Sequence, residues 1–285
     1  MEYSIKEQRF YLDGEPLPLF SGSCQYWRID PSLWSLVLER VVGMGFHLVE
    51  TYIPWSVHEV ARGRFEFSGG QARDLEKFLM LCSRTGLKVL ARPGPHINAE
   101  MTYFGYPERL LADLDIAMRC ADNTPAVVPT PPRMFPAPCY HHPRFQEEAS
   151  LWLEAVCAVL RGHLYPRGPV IAVQVDNECS RFFRTHPFDC DYSAHSIRLY
   201  RKFLAEKYRD MEALNRAYRG EYTDWALVDP PRAFRPSNPG DLPRLLDWAE
   251  FGEYYIKEAL KVITGIIRAH LGDGVPLYHN YPASR

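Results

Sequence analysis

The chain has 285 residues, with 33 basic and 35 acidic side chains and a formal net charge of −2. Its hydrophobic share of 46% is typical of a globular protein, and its near-neutral charge argues against a nucleic-acid partner. No apolar run reaches the ~18 residues that a membrane helix needs, and the N-terminus carries charges where a signal peptide would be apolar. We therefore expect a cytoplasmic protein with no membrane partner.

The seven cysteines give no sign of a metal or redox site. Their number is odd, and no Cys-x-x-Cys pair occurs, which disfavours a zinc ribbon or a thioredoxin-type motif. His141 and His142 lie close to Cys139, but adjacent histidines cannot easily bind the same ion. We expect free thiols in a reducing compartment, with no metal and no cofactor.

Apolar runs alternate with amphipathic helical segments along the chain. Strands are predicted over 17–24, 46–53, 87–91, 170–175 and 275–278. Helices are predicted over 30–45, 75–86, 145–160, 195–219 and 247–271. The first helix would start at Asp30-Pro31, because Asp is a good N-cap and Pro fits the first helical position. The fourth strand is apolar almost throughout, which is typical of a parallel sheet covered on both faces.

The alternation of strands and helices predicts an α/β protein built from parallel βα units. Two folds are compatible with it: an open doubly wound sheet and a (β/α)8 TIM barrel. The open sheet usually binds a nucleotide through a Gly-rich turn after its first strand. The first turn here reads Ser-Gly-Ser-Cys-Gln over residues 21–25, which is neither G-x-G-x-x-G nor a P-loop, and no other turn supplies one. The sequence therefore favours the barrel.

Polar and aromatic residues gather where the predicted strands end, which is the face that carries the active site in a (β/α)8 barrel. Carboxylates and amides hydrogen-bond sugar hydroxyls, and flat rings cover the apolar faces of a pyranose. The pattern therefore predicts a carbohydrate site. Its candidate residues are Glu50, Tyr52, Trp55, Arg92, His96, Asn98, Glu100, Asn177, Glu178 and Tyr278.

Each candidate also has a purely structural interpretation. Glu178 could be an acidic residue in the first turn of a helix, where the helix dipole favours it, and Asn177 could be a cap. Arg92 could only pair with a glutamate inside the barrel, His96 could be a core histidine, and Trp55 could be core packing. The common location of these groups at one end of the barrel is what favours a site.

The segment 168–178 reads Gly-Pro-Val-Ile-Ala-Val-Gln-Val-Asp-Asn-Glu and resembles the signature of glycoside hydrolase family 35, the β-galactosidases, with Asp176 where that family has Glu. Segments 21–23, 50–59 and 92–100 are similar to the same family, which usually has Tyr at the position of His96 and Cys at that of Asn98. Segments 192–218 and 246–248 are more similar to family 42. Both families belong to a clan of retaining (β/α)8 glycosidases.

The resemblance implies an enzyme that removes terminal β-galactosyl or related β-glycosyl residues by double displacement. Glu178 would be the general acid/base, and Asn177 would hydrogen-bond the 2-hydroxyl of the sugar. Tyr52, Asn98 and Glu100 would hold further hydroxyls. The remaining candidates for substrate binding are Trp55, Arg92, His96 and Tyr278. Members of family 42 can carry a cysteine-ligated zinc, but the close cysteine spacing that it needs is absent here.

Retaining hydrolysis needs a second carboxylate about 5 Å from the first, and these families place it on strand seven. Only five strands are predicted here. We therefore expect residues 1–285 to be the N-terminal part of one catalytic barrel, with the nucleophile outside this chain and no activity in isolation. A homo-oligomer and a complementing C-terminal polypeptide are both open as partner arrangements.

Two other functions compete with this one. A non-catalytic carbohydrate-binding barrel would have kept the rim residues without the nucleophile. A metal-dependent barrel hydrolase would need His and Asp ligands at the strand ends, and the scattered histidines disfavour it.

Overall fold

The computed structural model describes residues 2–69, 71–129, 133–181 and 186–281, which form an α/β protein with a parallel sheet. Its contacts divide the chain into two compact units. Unit 1 covers the described parts of 1–107, 148–178 and 263–285. Unit 2 covers the described parts of 108–147 and 179–262.

The described residues contain strands β1 (Tyr3–Lys6), β2 (Arg9–Leu12), β3 (Glu15–Pro16), β4 (Ser21–Ser23), β5 (Leu48–Tyr52), β6 (Glu59–Ala61), β7 (Arg64–Phe65), β8 (Lys88–Arg92), β9 (Val127–Val128), β10 (Phe135–Pro136), β11 (Val170–Gln174) and β12 (Leu277–Tyr278). The helices are α1 (Trp34–Gly43), α2 (Trp55–His58), α3 (Leu75–Arg84), α4 (Glu108–Leu111), α5 (Pro143–Gly162), α6 (Ala194–Tyr208), α7 (Met211–Tyr218) and α8 (Leu242–Leu271). Short 3-10 turns connect several of them.

The main sheet of unit 1 is parallel and has the order β12-β11-β8-β5-β4. Its five strands fall in the five predicted apolar runs, and all residues of β11 are buried, as its sequence predicts. The first strand is shorter than predicted, because residues 17–20 lie in no strand and directly follow a separate antiparallel sheet, β1-β2-β3. There the N–H of Leu17 donates to the carbonyl of Phe10 at 2.7 Å. Pro18 has no N–H to offer a parallel neighbour.

Helices α3 and α5 contribute apolar faces to the core of unit 1. Leu75, Phe78 and Leu79 of α3 are buried, and the carboxylate of Asp74 caps this helix by accepting the N–H of Lys77 at 3.0 Å. Trp152 of α5 is fully buried, and its indole N–H donates to the carbonyl of Pro93 at 2.8 Å. The bond from Trp152 fixes the backbone directly after β8, where site residues lie.

The first helix starts later than its sequence predicts. Asp30 does not cap it. Its carboxylate accepts the N–H of Ser32 at 2.8 Å and the hydroxyl of Ser32 at 2.7 Å, which closes a turn ahead of the helix. Helix α1 begins at Trp34. Aspartate in this position stabilises a local turn as readily as a helix start, which explains the difference.

Unit 2 contains α6, α7 and the part of α8 up to Val262. The prediction of one helix over 195–219 is wrong, because two helices meet there. Arg209 has φ 68°, which ends α6, and the carboxylate of Asp210 starts α7 by accepting the N–H of Ala213 at 2.8 Å. Buried rings of Tyr200 and Trp248 pack edge to face, with centroids 5.1 Å apart.

Candidate active site

A cavity of about 340 Å³ opens in unit 1 where the parallel strands end. This volume lies within the range of small-molecule sites. Its walls come from the C-terminal ends of β4, β5, β8 and β11 and from the loops that follow them. The lining residues are Ser23, Gln25, Arg28, Glu50, Tyr52, Arg92, Asn98, Ala99, Glu100, Asn177 and Glu178.

The guanidinium of Arg92 lines the cavity and is the centre of a hydrogen-bond network. Its Nε donates to Oε1 of Gln174 at 2.5 Å, Nη1 pairs with Oε2 of Glu50 at 2.9 Å, and Nη2 donates to Oδ1 of Asn177 at 2.7 Å. Its Cζ also lies 4.0 Å from the ring centroid of Tyr52. Arg92 is only 7% exposed, so its charge is compensated by a carboxylate and two amide oxygens instead of water.

Tyr52 joins this network from β5, where it lies beside Arg92 in the strand register. Its hydroxyl donates to Oδ1 of Asn177 at 3.0 Å, and its backbone N–H donates to Oε1 of Gln25 at 2.9 Å. Burial raises the pKa of the Tyr52 phenol to about 12, partly offset by the positive charge of Arg92. Tyr52 therefore keeps its proton at neutral pH and acts as a hydrogen-bond donor.

Glu178 is half-buried at the cavity, directly after Asn177. Its Oε2 accepts from Nδ2 of Asn98 at 3.4 Å, and its backbone N–H donates to Oδ1 of Asn280 at 3.1 Å. Within the described part of the chain, no Lys, Arg or His pairs with its carboxylate. Glu178 therefore has acceptor capacity left for a ligand.

Two segments at the cavity have strained backbone. Asn98, Ala99 and Glu100 have φ of 54°, 50° and 48°, and Asp176 and Glu178 have φ of 56° and 47°. Left-handed conformations cost non-glycine residues free energy, and such strain is concentrated at functional sites.

The turn before Glu178 is tied to the loop after β8. Oδ1 of the fully buried Asp176 accepts the N–H of His96 at 2.8 Å. Asp176, which stands where the signature of glycoside hydrolase family 35 has Glu, therefore has a clear structural role.

The structure brings seven of the predicted residues to the cavity: Glu50, Tyr52, Arg92, Asn98, Glu100, Asn177 and Glu178. It does not bring Trp55 and His96 there. Both side chains are buried, and the ring of Trp55 stacks on Trp152 at 6.2 Å. His96 packs 5.0 Å from Phe104, and burial lowers its pKa to about 3. The two side chains do not line the cavity, and their contact with a sugar stays a prediction.

Tyr278, at the end of β12, does not line the cavity but lies near two residues that do, Arg92 and Glu50. Burial raises the pKa of its phenol, and the charges of Arg92 and Glu50 act on it in opposite directions. Its hydroxyl is buried, and no described residue forms a hydrogen bond with it.

Other cavity residues were missed in the sequence, namely Ser23, Gln25, Arg28 and Ala99. Ser23 ends β4 and its hydroxyl donates to Oε1 of Glu50. Ser23 could have been identified from the sequence, because it lies at the end of the first strand of the parallel sheet. Gln174 and Asn280 support the site from behind, because Nε2 of Gln174 donates to Oδ1 of Asn280.

No group of three or more His, Cys, Asp or Glu side chains is arranged to hold a metal ion within the ranges that the structure describes. None of the helices in these ranges combines the length and apolar character that crossing a bilayer requires. The cytoplasmic location and the oligomeric state stay predictions.

The sequence pattern of glycosyl hydrolases family 35 matches residues 9–125 of the chain. This segment carries Glu50, Tyr52, Arg92, Asn98 and Glu100 of the cavity. Residues 9–125 of the chain belong to this family.

Two curated relatives are longer proteins that match this chain over part of their own length. It is 33% identical to an exo-beta-D-glucosaminidase from Thermococcus kodakarensis, over 92% of this chain and 33% of that protein. It is also 33% identical to a beta-galactosidase from Mus musculus, over 73% of this chain and 27% of that protein. The chain thus spans about a third of the length of the curated relatives it matches.

A solved structure shares the fold of the chain. It is the beta-galactosidase from the psychrophilic Marinomonas ef1, with a TM-score of 0.71 and 19% sequence identity. The likeness covers 92% of this chain and 37% of that one. The chain therefore shares its α/β fold with a parallel sheet with that structure.

Proposed function

We propose that the chain forms part of the active site of a retaining β-glycosidase that removes terminal β-galactosyl or related β-glycosyl residues. The observation that carries this proposal is the position of Glu178. Its carboxylate lies at a cavity of small-molecule size and has no cationic partner among the described residues. In the sequence, Glu178 directly follows Asn177. The family match covers residues 9–125, and it is the similarity to an exo-beta-D-glucosaminidase over 92% of this chain that gives this carboxylate its chemical context.

In the proposed mechanism, Glu178 first protonates the glycosidic oxygen as the leaving group departs. It then removes a proton from the water that releases the sugar. Asn177 contacts the 2-hydroxyl, where a hydrogen bond strengthens in the oxocarbenium-like transition state. Tyr52, Asn98 and Glu100 line the same cavity and supply further partners for hydroxyls.

We further propose that the nucleophilic carboxylate comes from a segment outside residues 1–285. Glu50 also lines the cavity, but it is not proposed as the nucleophile, because both oxygens of its carboxylate already have a partner. One pairs with Arg92, and the other accepts from Ser23. The buried hydroxyl of Tyr278 has no hydrogen-bond partner among the described residues, which is costly unless another acceptor reaches it. The relatives, about three times as long as the matched region, provide room for such a segment.

In this proposal the described sheet is part of a barrel. Strand β4 and strand β12 are the outer strands of the parallel sheet, and each pairs with one parallel neighbour within the described residues. Further βα units would pair with both and close the barrel.

The test compares residues 1–285 with the complete natural protein on nitrophenyl β-galactoside. We expect no turnover by residues 1–285 and clear turnover by the complete protein. Proton NMR of the first product should show the β-anomer, as retention requires. Turnover by residues 1–285 at verified mass would contradict the external nucleophile, and the α-anomer as first product would contradict retention. Sugar binding without turnover by the complete protein would instead support a carbohydrate-binding barrel.

A second candidate, an exo-β-glucosaminidase, is favoured by the extent of similarity. The match to the Thermococcus kodakarensis relative covers 92% of the chain, against 73% for the Mus musculus beta-galactosidase. Parallel assays with nitrophenyl β-galactoside and nitrophenyl β-glucosaminide separate the two candidates. A higher kcat/KM on the glucosaminide would favour the second.

A further inference from the structure

The side-chain amide of Asn177 can take only one orientation. Its Oδ1 lies 2.7 Å from Nη2 of Arg92 and 3.0 Å from the hydroxyl of Tyr52. A guanidinium has only donors, so the atom that faces Arg92 must be the amide oxygen. If the amide were turned over, two N–H donors would meet inside a buried site, and the phenol would lose its acceptor.

Arg92 itself has little freedom to move. Gln174 accepts from its Nε at 2.5 Å, Glu50 holds Nη1 at 2.9 Å, and the ring of Tyr52 covers its Cζ at 4.0 Å. Gln174 is held in turn by Asn280. The amide of Asn177 is therefore fixed by a network that is already assembled before a ligand arrives.

The consequence at the cavity concerns the other amide atom. Asn177 lines the cavity, and its side-chain hydrogen bonds to the described residues, from Tyr52 and Arg92, are both made at Oδ1 and none at Nδ2. Because Oδ1 is occupied by two donors, Asn177 offers a ligand N–H groups and not a lone pair. A sugar hydroxyl can accept such a bond through its oxygen, whereas a protonated amine has donors only.

We propose that Arg92 is a positioning residue that makes Asn177 a dedicated donor, so that the site selects a hydroxyl over a protonated amine at the sugar position that Asn177 contacts. This inference rests on the proposed function, in which that position is carbon 2. It separates the two candidate substrates, because a galactoside has a hydroxyl there and a glucosaminide has an amine. The chain would then be specific for neutral sugars, although the glucosaminidase match covers more of its length.

The experiment measures binding of galactose and of its 2-amino-2-deoxy analogue at pH 6, where the amine is protonated. The complete natural protein is used, with ligand-observed NMR or calorimetry as the readout. We expect galactose to bind about tenfold tighter, because the amine leaves a donor of Asn177 facing another donor. Equal affinities or tighter binding of the amine would overturn the inference. Failure of both sugars to bind would contradict the proposed function as well.

Variants show whether Arg92 is responsible. In Arg92→Met the amide of Asn177 is free to turn and offer its oxygen, so we expect the preference for galactose to fall to about twofold or less. In Tyr52→Phe one of the two donors to Oδ1 is lost. We expect the preference for galactose to decrease by a factor of about three, which is a smaller change than in Arg92→Met. Arg73→Met, at an exposed residue that pairs with Glu66, is the matched control and should keep the native ratio.

The ratio of two affinities distinguishes positioning from a general structural role, because a loosened fold would weaken both sugars together. Tyr52→Phe keeps the test decisive if Arg92→Met does not fold, since the phenylalanine preserves the ring over the guanidinium. An unchanged ratio in a folded Arg92→Met or in Tyr52→Phe would contradict the assignment.

Discussion

Two carboxylates, one in each unit, show how differently a fold can use the same chemical group. Asp191 of unit 2 is 1% exposed, and its oxygens accept from the N–H groups of Arg119 and Ser193 and from the hydroxyls of Ser193 and Ser196. Glu178 of unit 1 is half-buried and accepts one long amide bond of 3.4 Å.

The difference in hydrogen bonding indicates which of the two carboxylates can interact with a substrate. Every hydrogen bond that Asp191 accepts occupies one of its acceptor positions and ties its carboxylate to unit 2. Glu178 has spare acceptor positions, faces a cavity and has strained backbone, which is the pattern of a functional group and not of a structural one.

The largest expected effect is on catalysis by Glu178. In the complete protein, Glu178→Gln removes the group that delivers the proton, and we expect kcat on a galactoside with a poor leaving group to fall about 10³-fold. The melting temperature should change little, because the carboxylate makes few bonds. Glu154→Gln, at an exposed position of α5, is the control. A loss below tenfold would remove Glu178 from the mechanism.

Asp191 should show the reverse behaviour. Asp191→Ala leaves several buried donors without an acceptor, and we expect the free energy of unfolding to fall by about 3 kcal/mol. Urea titration followed by circular dichroism measures this value. Asp189→Ala is the control, since its closest ionic partner, His186, lies 3.9 Å away at the surface. Equal losses in both variants would contradict the structural role of Asp191.

Acid should destabilise unit 1 through His96. Burial lowers its pKa to about 3, whereas an unfolded histidine has a pKa near 6.5. Between these values the unfolded chain binds a proton that the folded chain does not, so stability falls as the pH falls. Between pH 8 and pH 5 the loss from His96 is about 2 kcal/mol.

Urea titrations of the native protein and of His96→Gln at both pH values check this. The variant should lose about 2 kcal/mol less on acidification than the native protein. His47→Gln, at an exposed histidine, should match the native pH dependence. The same pH dependence in His96→Gln as in the native protein would contradict the burial effect.

The smallest expected effect is at Asp247 of unit 2, which is 2% exposed and accepts from Lys207 at 2.8 Å and from the hydroxyl of Tyr218 at 2.7 Å. Tyr218→Phe removes one donor and should lower the free energy of unfolding by about 1 kcal/mol. Tyr281→Phe, with an exposed ring, is the control and should change it by less than about 0.5 kcal/mol. A larger loss in the control would contradict this account.

The sequence was most informative where one physical signal dominated. The apolar run of β11 predicts a strand buried on both faces, and the polar residues that follow strand ends predict the cavity that contains Tyr52, Asn177 and Glu178. The topology of parallel sheets brings those ends together, so residues far apart in the chain could be grouped before the fold was known.

The sequence was least informative where several partners compete for one residue. Asp30 can cap a helix or close a turn, and its choice depends on the neighbouring Ser32. Trp55 follows a strand end, as a sugar platform would, but its ring is turned toward Trp152 in the core. The role of Arg92 depends on Glu50 of β5, Gln174 of β11 and Asn177 after β11, which no local pattern reveals.

The central claim is that Glu178 transfers a proton at the sugar cavity, and chemical rescue tests it most directly. With nitrophenyl β-galactoside and the Glu178→Ala variant of the complete protein, added azide should raise turnover by at least tenfold and yield β-galactosyl azide. Azide can attack the glycosyl-enzyme without the general base that water needs. Absence of both the rate increase and the azide product, in a folded variant that still binds galactose, would contradict the account.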